Sequence, residues 1–252
     1  MTPDYSGPAV DVLALGPHPD DVELAVGGTL LGHRRAGRTT AIVDCTRGEL
    51  GTRGTPEIRA VEAAEAARLL GVRFRGNLGL ADGSLFNDDD ARRRLVRAIR
   101  MLRPVVMLAP HDHDLHPDHE QAGSLARDAA FLAGVAKFEP GLPAHRIRAV
   151  LHYPSHRQFE PSFVVDVSQD FAAKRAACLS YRSQFHDPAS TDAGTYLSRP
   201  QFWDWWEGRA RYYGQLIGAE YGEPFLHHGP LRIDDVVGAF ENYGYYPKTS
   251  RS

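Results

Sequence analysis

Val10–Asp21 reads VDVLALGPHPDD. The run Val10–Gly16 is short, apolar and valine-containing, and it stops at Gly16-Pro17, which is the pattern of a buried strand closed by a turn. Helical spacing follows over Val22–Arg35, with Leu24, Leu30 and Leu31 on one face and Gly37 as the stop. The same alternation continues down the chain. Thr39–Asp44 reads as a strand and Arg47–Gly54 as a Gly-rich charged loop. Thr55-Pro56 supplies an N-cap and a first-turn proline for a helix over Glu57–Leu70, which Gly71 closes. Val72–Leu78 is a third strand. Asn87-Asp88 caps a helix that runs to about Arg103, Val105–Ala109 (VVMLA) is a fourth strand, and His119–Gly134 is a further helix.

Strands alternating with helices predict an α/β fold: a doubly wound, mostly parallel, Rossmann-like sheet with helices on both faces. The second half is less regular. Ala149–Tyr153 and Phe163–Val167 read as strands, Gln169–Tyr181 as a helix, Ser183–Pro200 as a polar loop and Gln201–Gly218 as an aromatic-rich helix, together a C-terminal extension shaping the pocket. No repeat, low-complexity tract or linker divides the chain, so residues 1–252 are expected to form one domain, with Tyr245–Ser252 a frayed tail.

Composition excludes several classes. Lys plus Arg number 29 against 32 Asp plus Glu, a net charge of −3, which argues against a nucleic-acid binder with a strongly basic face. With 42% hydrophobic residues the chain is not a disordered one. No apolar run approaches the ~18 residues of a membrane span. Met1–Pro8 is polar and lacks the pattern of a signal peptide. The two cysteines, Cys45 and Cys178, cannot make a disulfide framework, so a reducing, cytoplasmic setting is expected. A nicotinamide dehydrogenase is disfavoured, because the turn after the first strand lacks Gly-x-Gly-x-x-Gly.

The outlying number is 12 histidines, several of them in two short clusters. The first is His18-Pro19-Asp20-Asp21, after the first strand. The second is His116-Pro117-Asp118-His119, after the fourth. Ligands of open α/β sheets sit beyond the carboxyl ends of the strands, where both clusters fall. Singly, a His-Pro-Asp turn is a capped turn. Two of them at matching strand ends can supply a site of two histidines and one carboxylate with an open position, the form of a catalytic zinc centre, and a neighbouring carboxylate is then the natural base. If the helix starts near Asp20, His18 and Asp21 converge while Asp20 points elsewhere. His111 and His113 read as surface-loop residues. His33, His145, His152, His156, His186, His227 and His228 read as ordinary core or surface histidines.

The paired motifs resemble the signature of the LmbE-like, or PIG-L, family of zinc-dependent N-acetylglucosamine deacetylases. The resemblance runs from Val12 to about Phe225. It is nearest to the bacillithiol-biosynthesis branch, whose substrate is N-acetylglucosaminyl-malate, through Asp20-Asp21-Val22-Glu23, Asp44–Leu50, Glu57-Ile58-Arg59, Ala109-Pro110, Tyr181–Phe185 (YRSQF), Arg209–Gly218 (RARYYGQLIG) and Tyr221–Phe225 (YGEPF). It implies His18, Asp21 and His119 as ligands of a zinc ion, with iron(II) or cobalt(II) as alternatives. It implies Asp20 as general base, His116 as the oxyanion-stabilising histidine and Asp118 as the carboxylate that orients and charges His116. It further implies Arg59 as a substrate-binding residue, suited to the malate carboxylates. Arg47 and Arg53, in the preceding loop, are candidates to assist. A small-molecule glycoside is the implied partner, with no nucleic acid and no membrane, and the chain is implied to form a homo-oligomer, a hexamer by analogy with relatives.

Two positions depart from the pattern. Leu115 stands where close relatives carry Arg, and Gly16-Pro17 precedes the first motif in place of a small residue. Tyr196, Phe202, Trp203, Trp205 and Trp206 fall where relatives vary. Aromatics at this spacing suit helix packing or a subunit interface, and less often a sugar platform. Rival substrates are mycothiol-type sugars, S-conjugates, chitooligosaccharides and antibiotic sugar amides. The rival class is a non-catalytic sugar- or nucleotide-binding module.

Overall fold

The computed structural model describes residues 9–185 and 193–240. The expected tail at Tyr245–Ser252 and the residues 186–192 of the polar loop lie outside the described residues. Five strands, β1 (Val12–Gly16), β2 (Thr40–Asp44), β3 (Phe74–Asn77), β4 (Val106–Pro110) and β5 (Ala149–Tyr153), form one sheet in the order β3-β2-β1-β4-β5. Every neighbouring pair is parallel. The chain moves outward from β1 to β2 and β3, then crosses back to place β4 on the other side of β1. That reversal opens a crevice between the ends of β1 and β4.

Alternation along the strands separates two cores. Leu13, Leu15, Ala41, Val43, Met107 and Ala109 face helices α3 (Asp89–Leu102) and α4 (Pro117–Ala133), meeting Leu95, Ile99, Leu125 and Ala129. Val12, Ala14, Ile42 and Leu108 face the opposite side, against Val22, Val26 and Leu30 of α1 (Asp21–Arg35) and Leu70 of α2 (Pro56–Leu70). A third cluster joins α2 to α5 (Phe171–Cys178) and α6 (Phe202–Gln215) through Ala63, Ala66, Phe171, Tyr181, Phe202 and Trp206. The helices begin as the caps require: Thr55 Oγ1 accepts from the Ile58 N–H at 3.3 Å and the Asp88 carboxylate from the Ala91 N–H at 2.9 Å. Gly123 lets α4 press onto the end of β4, since a Cβ there would stand 2.7 Å from the Pro110 carbonyl.

A two-stranded antiparallel ribbon, β6 (Phe163–Asp166) with β7 (Gly222–Phe225), completes the described sheet structure. β7 has no strand pattern in its GEPF sequence; it is held by pairing, and by Glu223. Helix α1 loses its helical dihedrals at Val26, and the freed Gly28 and Thr29 N–H groups donate to Glu223 at 2.9 and 2.7 Å. Lys174 donates to the freed Ala25 carbonyl at 3.2 Å and pairs with Glu223 at 2.6 Å. A kink in the helix that carries the first motif is therefore closed by a buried ion pair from α5 and β7. A last short helix, α7 (Val236–Phe240), is exposed. Among the described residues, no helix is long and apolar enough to cross a membrane.

Candidate metal centre and its cleft

Both motifs sit at the crevice. The first occupies the turn from β1 into α1. Its Asp20 has φ 109°, a region non-glycine residues enter at a cost of about 1–3 kcal/mol. This backbone turn sends adjacent carboxylates to different partners. Asp21 Oδ2 lies 3.1 Å from His18 Nδ1 and 3.3 Å from His119 Nε2. Asp20 Oδ2 lies 3.0 Å from Arg59 Nη2, which also donates to the Pro19 carbonyl. The second motif starts α4 at Pro117, with His116 as its N-cap, two residues earlier than the sequence pattern suggests. His119 is thereby on the first turn of the helix, nearly fully buried and pointing at Asp21.

His18, Asp21 and His119 each offer one donor atom to a common point. Two imidazoles and a carboxylate suit zinc and other first-row divalent ions. The surroundings fit as well. The second ring nitrogen of His18, Nε2, meets Asp82 Oδ1 at 3.0 Å and Asp118 Oδ2 at 3.2 Å, the carboxylate backing that orients a metal-bound histidine. Burial opposes charge on His18, but hydrogen bonds to Asp118, Asp21 and Asp82 outweigh it and hold its pKa well above the ordinary value. Burial would raise Asp21, yet His119 and His18 pull it well below the carboxylate range.

Asp20 is fully enclosed, and burial pushes its pKa up to about 7 against the Arg59 charge, with Asp21 adding to the rise. A carboxylate near neutrality beside a metal-type site is suited to exchanging a proton. Behind it, Glu23 of α1 accepts from Arg75 of β3 and, at 2.9 Å, from the Tyr181 hydroxyl, while Arg75 grips Asp44 of β2 at 2.9 and 3.0 Å. This ties the first turn of α1 to two strand ends.

The pairing of Asp118 with the His116 ring, expected from the resemblance, takes another form. The Asp118 carboxylate accepts from Gly83 N–H at 2.7 Å and Leu85 N–H at 3.2 Å and faces His18. Its backbone N–H, instead, donates to His116 Nδ1 at 3.2 Å. That bond leaves the His116 proton on Nε2. Burial and the neighbouring His18 and His119 charges lower the His116 pKa, against the pull of Asp118 and Asp21, and Nε2 is the ring nitrogen left to donate.

A cleft of about 720 Å³ opens over these groups. Arg59 lies on its wall but is bonded to Asp20, while Arg47 and Arg53 do not line it; Arg53 donates to the Ser183 carbonyl at 3.0 Å. Leu115, Tyr196, Trp205 and Arg209 do line it. Phe202 and Trp206 serve both readings weighed for the aromatic stretch: they are buried in the third core cluster and also border the cleft.

Two site residues escaped the sequence reading. Asp82, in the loop after β3, backs His18. His156, read as an ordinary histidine, lines the cleft, its ring centroid 5.1 Å from that of His119, and its Nδ1 lies 2.8 Å from Asp114 Oδ1. The available signal was position: His156 follows β5, one more parallel strand ending at the crevice.

The Asp114–His156 pair carries a pH signature. Its hydrogen bond to Asp114 raises His156 above 6.5 despite burial. Asp114 is held well below 3.8, because bonds from His156 and the His116 and Arg157 N–H groups outweigh its burial. The His156 contribution is complete below 6.5 and fades as pH rises through its raised value; the Asp114 contribution is complete above 3.8 and fades in acid. In metal-stripped protein, the loss of Tm in His156→Ala should be larger at about pH 5.5 than at about pH 9. An equal loss at both would contradict the pairing.

The profile of the family described as PIG-L, GlcNAc-PI de-N-acetylase, matches residues 13–130. The chain is 31% identical to the diacetylchitobiose deacetylase of Thermococcus kodakarensis, across 87% of this chain and 86% of that one. It is 26% identical to a probable N-acetyl-alpha-D-glucosaminyl L-malate deacetylase 2 of Bacillus anthracis, across 76% of this chain and 93% of that one. Among solved structures, the conserved protein TT1542 from Thermus thermophilus superposes with TM-score 0.80 and 42% identity, covering 90% of this chain and 97% of that one.

Proposed function

The chain belongs to the PIG-L family of N-acetylglucosamine deacetylases, and from that premise we propose that it is a zinc-dependent hydrolase removing the N-acetyl group from an N-acetylglucosaminyl conjugate, with N-acetyl-α-D-glucosaminyl L-malate as substrate. The observation that carries this reading is the convergence of His18, Asp21 and His119 beside a separate buried carboxylate, Asp20, whose pKa stands near neutrality.

His18, Asp21 and His119 would hold the metal. A divalent ion there supplies Lewis-acid polarisation of the acetyl carbonyl and acidifies a water. Asp20 takes the proton of the attacking water. As the carbonyl carbon becomes tetrahedral, charge builds on its oxygen, and the Nε2–H of His116, on the cleft wall, would donate to it. The C–N bond then breaks, acetate departs, and the amine nitrogen needs a proton. Asp20, which has just received one, can return it. Arg59 holds Asp20 in place and limits the rise of its pKa, so its first effect falls on the base and on every substrate alike.

A neutral disaccharide is the second reading, favoured by the aromatic wall, where Tyr196 and Trp205, their rings stacked at 5.9 Å, line the cleft. The test is acetate release from N-acetylglucosaminyl L-malate, N-acetylglucosaminyl-inositol and N,N'-diacetylchitobiose, with and without chelator. The expected result is chelator-sensitive release, fastest by kcat/KM on the malate conjugate. Release from none of the three, with sugar binding intact, would make the chain a binding module.

A further inference from the structure

Cations on the cleft wall differ in their partners. Arg59 is neutralised by Asp20. Arg209, on α6 one turn beyond Trp205 and Trp206, is not: its Nη1 donates to the Ser155 carbonyl at 2.7 Å, and among the described residues no carboxylate pairs with it. The acids around it are engaged elsewhere. Glu223 is held by Lys174 and two backbone N–H groups, Asp114 by His156 and three backbone N–H groups, and Glu207, on the same helix, by Arg211 and Tyr221. Burial lowers the Arg209 pKa, and the non-contacting Tyr196, Tyr213, Glu223 and Asp114 offset this only in part.

An unpaired guanidinium in a partly dehydrated, aromatic-walled cleft is costly unless a ligand supplies the counter-charge. Its planar fork matches a carboxylate bidentately, and carbonyls or hydroxyls do so less well. Tyr196, Trp205 and Trp206 line the same wall and would exclude water from such a pair, strengthening it. Leu115, also on the wall, supplies no charge.

We propose that Arg209 is the carboxylate-recognition residue of the cleft, so that the preferred substrate carries an acidic aglycone; this rests on the deacetylase reading for what lies at the other end of the ligand. Arg209 acts in specificity: it selects among glycosides and takes no part in bond breaking.

The experiment is calorimetric binding of two deacetylated glycosides, glucosaminyl L-malate and methyl α-glucosaminide, to wild type, Arg209→Met and Arg209→Lys, with acetate release from the two N-acetylated counterparts measured alongside. The malate glycoside should bind the wild type more tightly, and Arg209→Met should erase roughly ten- to a hundredfold of that preference. Arg209→Lys, which keeps the charge but loses the fork, should fall between. A wild type with no preference, or a Met variant that loses both ligands equally, would overturn the assignment and leave Arg209 as a brace for Ser155. If the binding preference holds but no acetate is released from either counterpart, the deacetylase reading fails while the carboxylate assignment stands. Acetate release without a binding preference overturns the carboxylate assignment and leaves the deacetylase reading standing.

Discussion

Asp20→Asn should keep its bound metal and lose roughly 10²–10⁴ in kcat, the scale of general-base removal. Asn preserves the size of Asp and an oxygen to accept from Arg59, but it cannot take up a proton. The structure separates this residue from its neighbour in three ways. Asp20 faces Arg59 and not the histidines, its backbone is turned to positive φ, and its pKa is driven up to about 7, whereas Asp21 is driven down by His119 and His18. A carboxylate held ionised is suited to ligation, and one balanced near neutrality to proton exchange. The measurement is metal content by elemental analysis together with kcat for Asp20→Asn and Asp21→Asn. The expected pattern is full metal with little turnover for the first, and weakened metal binding for the second. If Asp20→Asn loses its metal while Asp21→Asn keeps both metal and activity, the two roles are reversed.

His119→Ala should empty the site and abolish turnover together. Its Nε2 lies 3.3 Å from Asp21 Oδ2, and its removal leaves only one imidazole on that carboxylate. Few other bonds are lost with the side chain: its buried Nδ1 has no hydrogen-bond partner, and the backbone of the helix start is retained by Pro117 and the His116 cap. The variant is therefore expected to fold, with an unchanged far-UV spectrum. The proposed open site has only three protein ligands, so loss of one should drop occupancy from near one ion per chain to near none at micromolar metal. A variant that folds and retains a full equivalent would remove His119 from the ligand set.

Much of this arrangement follows from local pattern. The apolar runs VDVLALG and VVMLA are strands because both sheet faces are covered, and buried parallel strands read as continuous hydrophobic segments. Caps at Thr55 and Asp88 mark helix starts because their side chains satisfy free N–H groups. The reversal between β1 and β4 then brings His18 and His119 together from distant points of the chain, so the meeting of the two motifs was readable once the strands were placed, while the choice of His119 over His116 as a ligand came from the family resemblance. Other features depend on long-range contact and leave no local trace. β7 exists through its pairing with β6, and the kink at Val26 through Glu223 and Lys174. Arg59 looks like a solvated helix residue but is enclosed against Asp20, and His156 acquires its place only because β5 lies beside β4. The tautomer of His116 is likewise set by a backbone N–H, which no motif encodes.

Two other donor clusters among the described residues, His18 with His116 and Asp118, and Asp114 with His119 and His156, each share one histidine with the proposed ligand set and are the local alternatives. Crystals of the zinc-loaded protein, measured on both sides of the zinc absorption edge, would place the ion directly. The expected result is one anomalous peak bounded by His18, Asp21 Oδ2 and His119, with Asp20 outside the coordination sphere. A peak held by Asp114 and His156 without His18 and Asp21, one held by His116 and Asp118 without Asp21 and His119, or one with Asp20 as a ligand, would contradict this ligand set.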